Sequence, residues 1–324
     1  MNLQQLRYLR ETIRRGLNLT AAAEALHTSQ PGLSKAIRDL EDELGVTIFV
    51  RHGRRLTAIT EEGRHVATIV DRLLLEADNL KRTSRDWRDG EAGELRVAAT
   101  HTQARYSLPP AVARLRMQYP RVKVRLHQGS PSQIVAMLRN GQADLGVATE
   151  ALDLHADLET RPLFEWHHCA LAPLSHPLAS HQTLELADLA EHDLVTYDPE
   201  FAGRNKIDQA FEAAGLTPRI VLEATDADVI KTYVRLGLGV GIVSELAIGD
   251  DDRQTMKVLP LAHVLPANTT RIAFRRGHML RGYEQVFIDW LSRHDVADSG
   301  QALVTAVRQS RRNGSSSGSG RGSG

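Results

Sequence analysis

Cysteine, aromatic residues and long apolar runs are all scarce in this chain of 324 residues, and each shortage excludes something. A single cysteine, Cys169, rules out an internal disulfide and any metal site built on two or more thiolates, and it fits a reducing compartment. No run nears the roughly 18 consecutive apolar residues of a membrane-spanning helix. The amino terminus, MNLQQLRYLRETIRRGLNLT, mixes charged and apolar residues where a secretory leader would have an unbroken apolar core. These features predict a cytoplasmic protein with no membrane partner. Net charge is lacking too, since 40 Lys and Arg balance 40 Asp and Glu. That balance excludes wholesale coating of nucleic acid but is silent on where the charge sits. No H-E-x-x-H, no P-loop and no carboxylate pair spaced for hydrolysis is present, so the chain is not expected to be an enzyme and no catalytic residue, cofactor or metal is expected. What remains, 42% apolar and 25% charged residues, is the composition of an ordinary globular protein with two or three domains.

Charge is unevenly placed along the chain. Residues 1–59 hold nine basic residues against six acidic ones, and Arg51, Arg54 and Arg55 cluster in the Gly-containing turn VRHGRRLT. Leu3, Leu6, Leu9 and Ile13 form an apolar stripe at helical spacing that Gly16 and Asn18 stop. Thr20 is a candidate N-cap for a second helix over Ala21–Leu26, and Ser29 or Gln30 opens a third with Pro31 in its first turn. In that third helix Leu33, Ile37, Leu40 and Leu44 are expected inside, which leaves Gln30, Ser34, Lys35 and Arg38 on the outer face. Two helices joined by a tight turn, the second with short polar and basic side chains at its start, suit entry into a DNA major groove. From Thr60 to Trp87, Val66, Val70, Leu73, Ala77 and Leu80 alternate spacings of four and three and Trp87 resumes the pattern after an interruption at Ser84, a coiled-coil seam, although a helix packed on its own domain would also fit.

After a Gly-flanked break at residues 90–93 the pattern changes to short strands and helices. Strands are expected over Leu95–Thr100, Val122–Gln128 and Ala143–Thr149, separated by helices over Pro109–Tyr119 and Ser130–Asn140. That βαβαβ order implies a parallel sheet. A second unit starting near Leu163 carries strands at Asp193–Tyr197, Arg219–Ala224 and Val240–Val243 with helices at Arg204–Ala214 and Asp226–Leu236. A strand at Thr270–Arg275 and a helix at Tyr283–Arg293 close the globular part. The simplest architecture is two linked α/β lobes with a cleft between them. The stretch from Asn313 is almost all Gly and Ser and is expected to be disordered.

The run Ala22–Arg51, AAEALHTSQPGLSKAIRDLEDELGVTIFVR, resembles the DNA-binding signature of LysR-type transcriptional regulators. The segments THTQARY (Thr100–Tyr106), QGSPSQI (Gln128–Ile134) and ATDADVIKTYVRLGLGVG (Ala224–Gly241) are similar to the branch of that family typified by CysB and Cbl, which controls sulfur assimilation. The resemblance implies an α plus α/β protein: a winged helix-turn-helix over 1–59, a dimerising linker helix over 60–90, and a two-lobed effector domain of periplasmic-binding-protein type over 93–296. Its lobes would divide at about 93–162 with 268–296, and 163–267, leaving 297–324 as a tail.

By the family's pattern Thr28, Ser29, Gln30, Pro31, Ser34, Lys35 and Arg38 would meet operator DNA, and Arg51, Arg54 and Arg55 would meet phosphate or minor groove. Thr100, Thr102, Gln103, Ser130, Thr149, Trp166 and Ala202 would line a site for sulfate, thiosulfate, N-acetylserine or O-acetylserine. The further partners implied are RNA polymerase and copies of the chain itself, as a homodimer or homotetramer. Strand ends in an open parallel sheet are where ligands settle, and helix N-termini there offer N–H groups to an anion. Taken singly, each hydroxyl also fits a helix cap, and Trp166 also fits a core aromatic.

Two positions depart from the branch. Ala202 replaces a usual threonine, and Glu223, if it faced the cleft, would repel an anion. Gly237, Gly239 and Gly241 lack the spacing of a dinucleotide-binding loop and read as a helix-to-strand turn. His167, His168 and Cys169 alternate faces of a strand and cannot share one ion. The residues leave open a regulator of the same fold answering another ligand, such as an aromatic carboxylate or amino acid, and a two-lobed solute-binding protein or enzyme.

Overall fold

Three short polar side chains set where the amino-terminal helices begin. In a computed structural model, which describes residues 1–53, 55–89, 92–201 and 203–293, α1 spans Leu3–Arg14, α2 Leu19–Ala25 and α3 Gln30–Leu44, capped by Asn2, Asn18 and Ser29. Asn18 Oδ1 accepts the amides of Thr20 and Ala21 at 3.1 and 3.0 Å. Thr20 itself, expected as the cap, is therefore already inside the helix. Leu6, Leu9, Leu33, Ile37, Leu40, Ile48 and Phe49 close one core, each fully buried Leu or Ile contributing roughly 1.5–3 kcal/mol. Leu44, expected inside, is exposed because Gly45 ends the helix in a left-handed conformation immediately after it. β1 (Phe49–His52) and β2 (Arg55–Ile59) pair antiparallel around Gly53.

α4 follows over Glu61–Asp89. Its expected seam divides into two parts. Val66, Val70 and Leu74 pack on the amino-terminal core, whereas Ile69, Leu73 and Leu80 stay exposed, Leu80 at 73%. Of Trp87 only the backbone is described. With Gly277–Met279 this region forms one compact unit, and the described residues of 92–276 and 280–293 form a second.

In chain order the second unit contains β3 (Ala92–Ala99), α5 (Leu108–Gln118), β4 (Arg121–Gln128), α6 (Pro131–Arg139), β5 (Leu145–Ala148), β6 (Leu158–Trp166), β7 (His168–Pro173), α7 (Leu186–Ala190), β8 (Asp193–Tyr197), α8 (Arg204–Ala213), β9 (Arg219–Ala224), α9 (Ala227–Arg235), β10 (Val240–Ser244), α10 (Asp250–Thr255), β11 (Met256–Pro260), β12 (Asn268–Arg275) and α11 (Gly282–Ser292). They make two five-stranded sheets, ordered β4-β3-β5-β12-β6 and β11-β7-β10-β8-β9. β3, β4 and β5 are parallel, as the βαβαβ order predicts.

The sheets are nevertheless mixed. β12 runs antiparallel to β5 and β6, and β7 runs antiparallel to β10 and β11. The reason is connectivity: the chain leaves the first lobe along β6 and returns along β12, so outgoing and returning strands pair in opposite directions. It passes between sheets at His167, between β6 and β7, rather than at about residue 163. Among the described residues no helix is long and apolar enough to cross a membrane.

Candidate functional sites: a helix face with its wing, and an interlobe cleft

On α3 the buried positions Leu33, Ile37 and Leu40 recur at helical spacing, so Gln30, Ser34, Lys35 and Arg38 fall away from the core, with Lys35 and Arg38 exposed. Ser29 uses its hydroxyl to cap the helix, accepting the Gly32 amide at 3.3 Å. Pro31 stands exposed in the first turn, where a missing N–H leaves nothing unsatisfied. Thr28 Oγ1 accepts the Tyr8 hydroxyl at 3.4 Å, which ties the turn before α3 to α1. The sequence therefore places a polar, basic face opposite a buried stripe, and local capping fixes the end at which it begins.

The wing arginines are not equivalent. Glu41, buried on α3, accepts the amides of Ile48 and Phe49 through Oε1 at 2.8 and 3.0 Å and Arg51 Nη2 through Oε2 at 2.7 Å. Arg51, expected as a phosphate contact, is thus held by Glu41 and braces the wing. Arg55 is exposed on β2, and Arg54 lies outside the described residues. Glu41 was not singled out from the sequence, although its place four residues after Ile37 puts it on the inner face.

In the second unit three strand ends lie side by side. Ala99 registers with Gln128 on β4 and with Val147 on β5, and the Thr100 amide donates to Val147 O at 3.2 Å. Thr100, Ser130 and Thr149 therefore meet along one carboxyl edge of the sheet. Ser130 caps α6, its hydroxyl accepting the Gln133 amide at 3.3 Å and pairing with Ser132 Oγ at 2.8 Å. Thr102 and Gln103 are buried where the helix after β3 widens into a π-helical turn over Gln103–Ser107. Pro109 and Pro110 follow and supply no N–H, so the ordinary ladder is interrupted there. Tyr197, fully buried in the other lobe, accepts the Ser244 amide with its hydroxyl at 3.1 Å. Gln103 Oε1 is buried without a hydrogen-bond partner.

The second lobe contributes the first turn of α8. Gly203, at φ +70°, donates its amide to Glu150 Oε1. A Cβ on Gly203 would stand 2.2 Å from Asn268 Oδ1, so the close approach requires glycine. Burial pushes the Glu150 carboxyl up to about 7, the amide bonds and Lys206 opposing the rise. Glu150 Oε2 and Asn268 Oδ1, like Gln103 Oε1, have no hydrogen-bond partner. The sequence reading missed Glu150, although the residue directly after Thr149 at a strand's carboxyl end was the signal.

Two expectations are corrected. Trp166 is not a cleft wall open to solvent: it is 1% exposed, donates Nε1 to Thr270 Oγ1 at 3.2 Å and meets the His168 ring edge-on. Its place at the end of β6, where the chain changes sheets, buries it in the second lobe's core. Glu223 does not present a bare charge, because Arg204 Nη1 donates to its Oε1 at 2.7 Å while Arg204 Nε holds Asp208 at 2.7 Å. Ala202 lies outside the described residues. The glycines after α9 are packing positions: Gly237 ends the helix at φ +80°, and a Cβ on Gly239 would meet Asp193 O at 2.3 Å.

The pattern of the bacterial regulatory helix-turn-helix proteins of the lysR family matches residues 3–64, and that of the LysR substrate binding domain matches residues 88–295. The chain is 50% identical over 292 residues to the HTH-type transcriptional regulator CysB of Burkholderia cenocepacia, covering 90% of this chain and 93% of that one. It is 49% identical over 295 residues to the regulator SsuR of the same species, covering 91% and 96%. With the regulator Cbl of Escherichia coli it shares 44% identity over 289 residues, covering 89% and 92%. Among solved structures, the cofactor-binding domain of the Cbl transcriptional regulator aligns with a TM-score of 0.60 and 42% identity over 63% of this chain and 89% of that one. A full-length OxyR from Pseudomonas aeruginosa aligns with a TM-score of 0.66 over 90% of this chain and 98% of that one, and at 24% identity it shares the fold alone.

Proposed function

Because this chain belongs to the LysR family of transcriptional regulators, on the side of that family where CysB, SsuR and Cbl lie, we propose that it controls sulfur-assimilation and cysteine-biosynthesis genes by reading an operator in response to a small sulfur-status signal. It works in the cytoplasm as a homodimer or homotetramer. Regulators of this family bind operator DNA through the helix-turn-helix and small effectors through the second domain, and they are not enzymes. The α3 face of Gln30, Pro31, Ser34, Lys35 and Arg38 reads base edges from the major groove, with Thr28 and Ser29 placing its first turn. Arg55, with Arg54, adds salt-dependent phosphate affinity. The exposed Ile69, Leu73 and Leu80 of α4 form the seam between two copies.

The observation that carries the effector reading is the meeting of Thr100, Ser130 and Thr149 at adjacent strand ends. Hydroxyls and helix N-termini there hold an oxyanion without a cationic side chain. The unpartnered acceptors of Gln103, Glu150 and Asn268 favour a ligand that also donates hydrogen bonds. N-acetylserine and O-acetylserine have both groups, whereas sulfate and thiosulfate offer acceptors only. The bound effector stabilises one arrangement of lobes and subunits, and its differential affinity for the two arrangements sets how DNA and RNA polymerase are engaged.

The experiment is fluorescence anisotropy on the promoter of a sulfate-uptake operon, with N-acetylserine or O-acetylserine present and with sulfate or thiosulfate as competitor. Ligand-dependent specific binding supports the proposal. Specific binding that no ligand alters overturns the effector, and normal binding by Ser34→Asp overturns the recognition face.

A further inference from the structure

His101 stands between Thr100 and Thr102 in the first lobe, and across the interlobe gap it faces Asp226 and Asp228 at the start of α9. One ligand atom from each of these three side chains lies within 4.8 Å of the other two. His101 Nε2 is buried and makes no hydrogen bond, and its nearest charged neighbour is Asp228 Oδ2 at 3.7 Å. A buried imidazole nitrogen without a hydrogen bond is costly unless something else satisfies it. Both carboxylates are also hydrogen-bonded within or beside α9. Asp226 Oδ1 caps α9 by accepting the Val229 amide at 2.9 Å, and Asp228 Oδ1 accepts the Tyr106 hydroxyl at 2.7 Å and Lys231 Nζ at 3.2 Å. These bonds hold both carboxylates in place, and Asp228 Oδ2 faces His101.

We propose that His101, Asp226 and Asp228 form a binding site for a divalent first-row transition-metal ion of the zinc class. One imidazole nitrogen and two carboxylate oxygens supply three protein ligands, with the remaining position taken by water. The imidazole excludes the all-oxygen preference of magnesium and calcium. Metal–ligand bonds of 2.0–2.2 Å require ligand atoms about 3.3 Å apart in a tetrahedral site, so the three side chains contract modestly around the ion. The cations already present permit this. Arg105 Nε, 3.4 Å from Asp228 Oδ2, belongs to a side chain 62% exposed that moves into water. Lys231 remains on Asp228 Oδ1, its charge also met by buried Asp252 at 3.1 Å. The ion would tie the helix start after β3 to the start of α9 and so fasten the lobes beside Thr100 and Thr102. No sequence motif signals the site, because its ligands come from different lobes.

The test uses tag-free, chelator-stripped full-length protein titrated with Co²⁺ and Zn²⁺, read by visible absorption of the cobalt form and by calorimetry without any effector, so that it stands apart from the effector reading. Two variants accompany it: His101→Gln, which disturbs no hydrogen bond at Nε2, and Asp226→Ser, which keeps a helix-capping hydroxyl while removing the carboxylate. The expected result is one saturable site per chain whose affinity falls at least tenfold in each variant, with a zinc-induced rise in Tm that both variants lose. Absence of saturable uptake by the parent protein overturns the site. So does uptake unchanged in His101→Gln, which would place the metal on other histidines.

Discussion

The Glu150 carboxylate accepts a hydrogen bond from the backbone N–H of Gly203, joining the end of β5 in one lobe to the first turn of α8 in the other. This bond occupies the same helix terminus that an anionic ligand would use. Its strength depends on the charge of a group that titrates close to neutrality.

Burial raises the folded-state value of Glu150 to about 7 from the ordinary 4.5. Between those values the folded chain retains a proton that the unfolded chain has released. The contribution of this group to stability therefore falls as pH rises from about 4.5 to about 7, by up to about 3 kcal/mol, and is flat outside that window. Glu150→Gln keeps the carbonyl acceptor and removes the titration. Thermal melts from pH 4.5 to 7.5 should show the parent losing stability relative to the variant as pH rises, and parallel profiles would refute the assignment.

Gly203→Ala places a Cβ against Asn268 Oδ1 at a left-handed backbone position. The substitution should lower unfolding free energy by roughly 2 kcal/mol or more, read as a shift in the urea midpoint at constant m-value. Calorimetry with the acetylserines should show loss of binding together with it. Parent-like stability would mean that the first turn of α8 tolerates a side chain.

Removing Glu41 leaves the buried amides of Ile48 and Phe49 without their acceptor and frees Arg51. Glu41→Ala should destabilise the amino-terminal unit by roughly 2–6 kcal/mol, given about 1–3 kcal/mol for each of the two unsatisfied amides. Amide hydrogen exchange across β1 and β2 would locate the effect, and unchanged protection there would contradict it.

Arg55 and Arg51 should separate in the salt dependence of operator binding. Arg55→Ala lowers the slope of log K against log salt by about 1, the signature of one lost phosphate contact. Arg51→Ala should act chiefly through wing stability because its guanidinium is held by Glu41. An equal drop in slope for both variants would mean that Arg51 also leaves Glu41 for DNA.

Leu73 and Leu80 are exposed on α4, whereas Val70 and Leu74 are buried against the amino-terminal core. Leu73→Glu and Leu80→Glu should therefore shift sedimentation toward a smaller species with little change in Tm at low concentration. Val70→Glu should unfold the unit. A parent-like sedimentation coefficient in both exposed-site variants would move the subunit interface off this face.

Local pattern determined much of this molecule. The 3.6-residue recurrence of Leu33, Ile37 and Leu40 fixes which face of α3 is free, since a helix has room for only one buried stripe. The alternation of strand and helix from β3 to β5 fixes their parallel order and brings Thr100, Ser130 and Thr149 to one edge. Tertiary structure decided what depends on partners distant in sequence. The antiparallel return of β12 follows from the chain crossing twice between lobes. The engagement of Arg51 by Glu41, the neutralisation of Glu223 by Arg204 and the burial of Trp166 follow from side chains that packing brings together. The raised Glu150 carboxyl has the same origin, because a charge's energy is set by the water and dipoles that the fold leaves around it, and no local periodicity encodes them.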